Sequence, residues 1–149
     1  METEQTQAAA IVSTCTSLNL RKAARAASQF LESYLAPLGL HTGQFGILSH
    51  ISKAGSVTMT HLAESLALDR TTLTRNLQLL QRDGLVEVVS GRDKRIREIS
   101  LTCRGKEMLA QAVPLWREAE AALCERLGSQ RQQTLLSHAA ALINLTQSE

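Results

Sequence analysis

The stretch that decides the fold is residues 60–101, which read THLAESLALDRTTLTRNLQLLQRDGLVEVVSGRDKRIREISL. In its central part, residues 70–82, Leu73, Leu77 and Leu80 fall on one stripe of a helix with about 100° between successive residues. The opposite face carries no carboxylate, and its side chains can bond base edges or phosphates. They are Thr71, Arg75, Gln78 and Arg82, with Thr74 at the edge. This pattern predicts a DNA-reading helix, although a solvated amphipathic helix would show it too.

The residues on either side of this helix favour the DNA-binding interpretation. Asp69 is a candidate N-cap and Gly84 a candidate stop, while residues 59–68 predict a shorter helix only two or three residues upstream. Downstream, residues 85–90 and 96–101 have the β-branched content of strands. The turn between them carries three cations and one carboxylate. A helix-turn-helix followed by a basic hairpin is the order of elements in a winged helix.

Four short motifs of the chain resemble the MarR family of bacterial transcriptional regulators. They are LDRTTLTR at 68–75, GLV at 84–86, DKR at 93–95 and LTCRG at 101–105, and the resemblance extends roughly over residues 18–145. It implies a dimeric winged-helix repressor. In that family the residues that match Thr71, Thr74 and Arg75 enter the major groove, and the one that matches Arg95 enters the minor groove. The resemblance also implies a small-molecule pocket between the dimer region and the DNA-binding lobe, which often accepts aromatic acids or phenols.

The hairpin supplies further candidate DNA contacts. A guanidinium at its tip, Arg95, can enter a narrow minor groove, where the potential is most negative, and Asp93 could orient an arginine. Arg92, Lys94 and Arg97 are expected to contact phosphates, which adds affinity and salt dependence without base preference. A solvent-exposed turn would carry the same residues. The full set of candidate DNA-binding residues is Arg70, Thr71, Thr72, Thr74, Arg75, Gln78, Arg92, Asp93, Lys94, Arg95 and Arg97.

Charge and aromatic content narrow the class of partner. The net charge of +2 over 149 residues is too small to indicate nucleic-acid binding, but residues 70–97 hold seven basic residues against three acidic ones, a surplus of four. Aromatic side chains are few, which argues against RNA-recognition and single-strand-binding folds that stack bases. They are Phe30, Tyr34, Phe45 and Trp116. Double-stranded DNA is therefore the expected partner.

The whole fold is predicted to be mainly α with a small β-hairpin wing (α+β). Residues 41–102 would form the winged helix-turn-helix, in which residues 56–58 could add a third strand, and residues 1–40 and 103–149 a helical dimerisation region. In that region we expect a frayed segment at 1–10 and a helix at about 14–36. We also expect a helix at 103–127 that is capped by Thr102 and bent at Pro114, and a last helix opened by a capping box at 129–132. These helices have more apolar surface than a small winged-helix module needs, which predicts a two-fold dimer. Such a dimer would place its recognition helices about 34 Å apart on a pseudo-palindromic operator.

Two regulatory sites are also considered. Phe30, His41, Phe45 and Trp116 are candidates for lining the effector pocket that the resemblance implies, but core packing explains them equally well. Cys15 lies near the start of the first long helix, where backbone N–H groups favour a thiolate, and some MarR-like proteins sense oxidants through a cysteine there. It could equally be an inert small hydrophobe. Cys103 and Cys124 fall on the predicted helix at 103–127 and are expected to be packing residues.

Other classes of function find little support. The histidines at 41, 50, 61 and 138 lack metal-ligand spacing, no Cys-x-x-Cys occurs, and there is no phosphate loop or nucleophile elbow, so we expect no metal, no cofactor and no enzyme activity. No apolar run is long enough for a membrane segment, and three cysteines without a pairing pattern indicate the cytoplasm. The sequence thus predicts a cytoplasmic, homodimeric repressor that a small-molecule inducer releases. A thiol-based oxidant sensor using Cys15 and a winged-helix module that binds an acidic protein remain open.

Overall fold

A computed structural model of the chain describes residues 2–91 and 96–147. These residues form seven α-helices, a short 3-10 helix at Ala36–Leu38 and three strands. In chain order the elements are α1 (Glu2–Thr14), α2 (Thr16–Leu35), α3 (Thr42–Ala54), β1 (Ser56–Thr58), α4 (Met59–Leu66), α5 (Arg70–Arg82), β2 (Val86–Ser90), β3 (Arg97–Leu101), α6 (Cys103–Leu127) and α7 (Ser129–Gln147).

The three strands form one antiparallel sheet in the order β1-β3-β2. Ile99, in the middle of β3, pairs with Val57 of β1 on one side and with Val88 of β2 on the other. The hairpin of β2 and β3 is the predicted wing, and β1 is the predicted third strand. The mainly α fold with a small sheet is therefore confirmed.

The leucine stripe of α5 faces the core as the sequence predicts. Leu73, Leu77 and Leu80 are buried, and they belong to one hydrophobic cluster with Leu62 of α4 and Leu48 of α3. Burial of each leucine side chain stabilises the fold by about 1.5–3 kcal/mol. The inward face of α5 fixes its rotation, so the polar side chains on the other face point outward.

The predicted ends of the helices are also confirmed. Asp69 caps α5, and Gly84, with a φ of 70°, follows the C-cap Asp83. The hydroxyl of Thr102 caps α6 by accepting from the N–H of Gly105, and it donates to the carbonyl oxygen of Gly84 at 2.6 Å. A single threonine thus starts α6 and fixes it to the turn that ends α5.

The first residues are helical, so the prediction of a frayed segment at 1–10 is wrong. The helix α1 ends at Thr14, and the predicted long helix begins at Thr16 rather than at Thr14. The side-chain amide of Asn19 donates to the carbonyl oxygens of Val12, Ser13 and Cys15. The carbonyl groups of Val12 and Ser13 lie at the end of α1, where the helix itself supplies no partner, so Asn19 replaces the missing intrahelical bonds.

The predicted capping box at 129–132 does not form. Ser129 is the first residue of α7 rather than its cap, because Gly128 alone separates α6 from α7. The side-chain amide of Gln132 instead donates to Oε2 of Glu120 on α6, at 3.0 Å. The same side chain that was expected to cap α7 therefore ties it to α6. The helix α6 itself runs on across Pro114.

The flanking helices α1 and α7 leave apolar side chains in solvent in a single chain. Leu136 is 62% exposed and Leu145 72%, and Ile11 of α1 is 62% exposed. Among the described residues, no helix has the length and apolar content that crossing a membrane requires.

Candidate nucleic-acid interface

The N-terminus of α5 is held by Asp69, the predicted N-cap, together with Thr72, which was predicted to contact DNA. The carboxylate of Asp69 accepts from the backbone N–H of Thr72 at 2.8 Å and from its hydroxyl at 2.6 Å. The hydroxyl and backbone bonds from Thr72, in that order, hold the pKa of Asp69 below its ordinary value, because they favour the charged form. Thr72, a predicted DNA-binding residue, therefore has its hydroxyl proton committed to the cap.

The outward face of α5 gathers five of the predicted DNA-binding residues. They line one shallow surface depression of about 380 Å³ and are Arg70, Thr71, Thr74, Arg75 and Gln78. All are exposed except Thr74, which is half-buried and whose hydroxyl donates to the carbonyl oxygen of Arg70 at 2.7 Å. None of the five is acidic. The depression thus offers cationic and hydrogen-bonding groups together, which is the chemistry that base edges and phosphates require.

The wing is described only in part. Arg97 opens β3, is exposed, and pairs across the hairpin with Ser90. The predicted contacts Arg92, Asp93, Lys94 and Arg95 lie outside the described residues. Glu98, next to Arg97, has its carboxylate bonded to the hydroxyl of Ser56 at 2.5 Å. The base of the wing therefore presents an exposed arginine, Arg97, next to a glutamate whose carboxylate is hydrogen-bonded to Ser56.

A second depression lies beside α4 and was not predicted. It measures about 870 Å³ and joins the outer side of α4, the turn before α5 and the last helix. Its lining residues are Met59, Thr60, His61, Ala63, Glu64, Ser65, Ala67, Leu68, Arg70 and Ile143. Sequence alone could not have located it, because nothing in residues 59–70 indicates that α7 returns to them.

The candidate effector residues separate in the structure. A cavity of about 140 Å³ lies between α2, the start of α3 and α6, and Phe30 is the one candidate among the described residues that lines it. Phe45 and Trp116 stack on each other with ring centroids 6.3 Å apart. The side chain of His41 is 74% exposed, and its Nδ1 lies 3.5 Å from Oε1 of Glu32.

Sequence reasoning missed most of the cavity lining. Its residues are Ala27, Ser28, Phe30, Leu31, Thr42, Ala119, Glu120 and Leu123. They come from three segments that are far apart in the chain, and most of them are not aromatic. The signal in the sequence that could have indicated the cavity was Glu120, a charged residue next to the buried Ala119 on α6.

The three cysteines occupy different environments. Cys15 is the N-cap residue of α2, so it lies near the start of the long helix, as predicted. Its side chain is half-buried. Cys103 is exposed as the first residue of α6, so the prediction that it packs inside is wrong, and Cys124 is half-buried. Within residues 2–91 and 96–147, no three His, Cys, Asp or Glu side chains come together in a way that could hold a metal ion.

Comparisons with known proteins agree with this geometry. A family model described as the MarR family matches residues 38–96. An uncharacterised HTH-type transcriptional regulator of Bacillus subtilis, YhbI, is 29% identical over 120 residues, which span 80% of this chain and 78% of that protein.

Solved structures extend the similarity to nearly the whole chain. The M. tuberculosis transcriptional regulator MosR, solved in complex with DNA, is 40% identical, with a TM-score of 0.71 over 86% of this chain and 97% of that chain. A mutant MarR from E. coli complexed with operator DNA is 25% identical, with a TM-score of 0.79 over 89% of this chain and 96% of that chain. Both relatives are transcriptional regulators whose structures contain DNA.

Proposed function

Because this chain belongs to the MarR family of transcriptional regulators, we propose that it is a homodimeric repressor that binds a pseudo-palindromic operator and leaves it when a small molecule binds. The observation that carries the DNA-binding part is the outward face of α5. Its five polar side chains share one depression that contains no acidic group. Two of its relatives, MosR and the E. coli MarR, were solved with DNA, which supports the same role for this chain.

Within the proposed complex, α5 enters the major groove. Thr71, Thr74 and Arg75 reach base edges there, and Gln78 and Arg70 extend the contact on either side. The hydroxyls of Thr72 and Thr74 both donate within the chain, to Asp69 and to the carbonyl oxygen of Arg70, so each can only accept from DNA. Thr72 also supports the contact by capping α5. The helix N-terminus adds a favourable dipole for a nearby phosphate.

The wing completes the proposed contact from the neighbouring groove. Arg95 enters the minor groove, with Asp93 orienting it, while Arg92, Lys94 and Arg97 bind phosphates. Of these residues Arg97 is described, and its exposed position on β3 supports the assignment.

The proposed dimer uses residues 1–40 and 103–149, and residues 41–102 form the DNA-binding lobe. The apolar side chains of α1 and α7 that one chain leaves exposed support this division, since a second copy would cover them. A two-fold axis between the copies places the two α5 helices about one DNA turn, roughly 34 Å, apart.

The proposed effector site is the cavity between α2, α3 and α6. It lies where the dimer region meets the DNA-binding lobe, so a bound molecule contacts both. Such a molecule releases DNA only if it binds the DNA-free arrangement more tightly than the DNA-bound one.

The decisive test is binding to duplex DNA from the region upstream of the gene, measured by fluorescence anisotropy over a range of salt concentrations. Arg75→Ala should weaken binding by about tenfold to a hundredfold, since a bidentate base contact contributes about 1–3 kcal/mol. Arg95→Ala should weaken it and lower the slope of log K against log salt by about one.

The matched control is Arg117→Ala, which removes an exposed arginine of α6 and should leave the affinity unchanged. If the wild-type protein bound no duplex at low salt, the repressor proposal would fail, and the winged helix would be better explained as a module for an acidic protein partner.

A further inference from the structure

The cavity between α2, α3 and α6 lies on the joint between the helical region and the DNA-binding lobe. The hydroxyl of Thr42, at the start of α3, donates to the carbonyl oxygen of Ser28 on α2 at 3.0 Å. The backbone N–H of Thr42 donates to Oε1 of Glu32, also on α2, at 3.3 Å. Because Ser28 and Thr42 both line the cavity, a molecule bound there touches two of the three residues that make these bonds across the joint.

The size of the cavity suits one small ring. Its volume of about 140 Å³ is close to that of an engineered apolar cavity of roughly 150 Å³ that binds benzene. The side chains of Phe30, Leu31 and Leu123 form apolar walls, and Ala27 and Ala119 leave space because they are small.

The charge of the lining points to the chemical class of the ligand. Glu120 is the one ionisable side chain among the described residues that line the cavity. It is half-buried, and its Oε2 accepts from the side-chain amide of Gln132 at 3.0 Å. No Lys, Arg or His of the described residues lies within 4.0 Å of its carboxylate. A half-buried carboxylate without a cation attracts a positive charge and repels an acid.

The other charged groups around the cavity are already engaged. Glu32 accepts from the N–H of Thr42 and lies 3.5 Å from His41. The guanidinium of Arg126 stands over the ring of Phe30, 5.1 Å from its centroid, and does not line the cavity. Arg126 therefore forms no ion pair with Glu120.

We propose that this cavity selects a protonated amine carried on a single aromatic ring, with the ammonium group on the Glu120 carboxylate and the ring between Phe30, Leu31 and Leu123. This inference rests on the proposed function, because it takes the cavity as the effector site, and it replaces the aromatic acid that the family resemblance implies with an aromatic amine. The ammonium donates to the carboxylate oxygen that Gln132 leaves free, and its charge is balanced there.

The test compares three ligands of one shape and different charge, namely benzylamine, benzyl alcohol and benzoate, titrated calorimetrically into the full chain near neutral pH. Benzylamine should bind at least about ten times more tightly than benzyl alcohol, as expected for a charge-assisted hydrogen bond, and benzoate should bind most weakly. Glu120→Gln, which keeps the shape of the side chain, should remove the preference for the amine and leave the affinity for the alcohol unchanged.

Glu118→Gln is the matched control, because it makes the same change at an exposed position of α6 and should keep the preference. Equal binding of benzoate and benzylamine, or an undiminished preference in Glu120→Gln, would overturn the proposal. So would amine binding that leaves duplex affinity unaltered. These outcomes differ from failure of the proposed function, which would appear as no duplex binding by the ligand-free protein.

Discussion

Asp69 and Thr72 begin α5, the helix whose outward face is proposed to bind DNA. The carboxylate of Asp69 accepts from both the hydroxyl and the backbone N–H of Thr72. These bonds form in the folded chain because the first turn of α5 brings the two residues, three positions apart in the sequence, close together in space. They lower the pKa of Asp69, so the folded state prefers the charged carboxylate more than the unfolded chain does. The stabilisation from this cap is therefore complete above the unfolded pKa and is lost as the pH falls through the lower folded pKa.

The cap predicts a pH-dependent difference between the wild type and Asp69→Asn. Asparagine can still accept from Thr72 but has no charge, so its melting temperature should lie below that of the wild type near neutral pH. The difference should shrink as the pH falls below about 4. Thermal melts followed by circular dichroism from pH 6 to pH 3 would measure it.

Thr72→Ala provides the matched comparison, because it removes the hydroxyl bond that contributes most to the lowered pKa of Asp69. The variant should show a weaker dependence of stability on pH than the wild type. A constant difference between wild type and Asp69→Asn across the pH range would show that the charge of Asp69 does not stabilise the cap.

At the scale of the elements, the start of α6 packs directly on the end of the turn before β2. The backbone N–H of Thr102 donates to the carbonyl oxygen of Leu85 at 3.2 Å, and Gly105 is buried against that same carbonyl. A Cβ atom built on Gly105 would lie 2.0 Å from the Leu85 oxygen. Only glycine allows this approach, which joins the wing to α6, the long helix of the proposed dimer region.

Gly105→Ala should therefore destabilise the fold. Overpacking of this kind costs about 1–3 kcal/mol or more. In a chain of this length each kcal/mol lowers the melting temperature by about 2–4 °C. Differential scanning calorimetry would measure the change.

Gly43→Ala is the control on α3, since nothing lies within 4 Å of the added Cβ and alanine favours a helix. It should leave the melting temperature unchanged or raise it slightly. Equal stability of the two alanine variants would mean that α6 can move away from Leu85 without loss.

At the scale of the whole molecule, α7 leaves apolar surface exposed in a single chain. The helix packs on α6 at its start, where Gln132 meets Glu120, but Leu135, Leu136 and Leu145 remain exposed further along. Patches of this kind usually mark protein contacts. The proposed dimer would bury them and, through α6, set the distance between the two α5 helices.

Leu136→Asp should weaken the dimer, because burying an unpaired carboxylate in an apolar contact is unfavourable. Sedimentation equilibrium should show a larger monomer fraction, and affinity for a pseudo-palindromic duplex should fall because one DNA-binding lobe loses the benefit of its partner. Ser137→Asp adds the same charge at the next, exposed position, which points about 100° around α7 from Leu136, and should leave both properties unchanged. If Leu136→Asp formed a dimer as readily as the wild type, this face of α7 would not be part of the interface.

Local sequence determined the parts that depend on neighbours along the chain. The spacing of Leu73, Leu77 and Leu80 predicted which face of α5 is buried, and Asp69 and Thr102 predicted where two helices begin. These features follow from the period of a helix and from caps that act within three residues, so no distant contact is needed to infer them.

Only the tertiary structure decided which side chains of different helices contact one another. It separated Phe30 from the stacked pair of Phe45 and Trp116, turned Gln132 from a cap into a partner of Glu120, and brought Ser28, Thr42 and Glu120 to one cavity. Such contacts join residues far apart in the chain, and they depend on how α2, α3 and α6 pack. Helical periodicity specifies the buried face of each helix, but not the particular side chain of another helix that meets it.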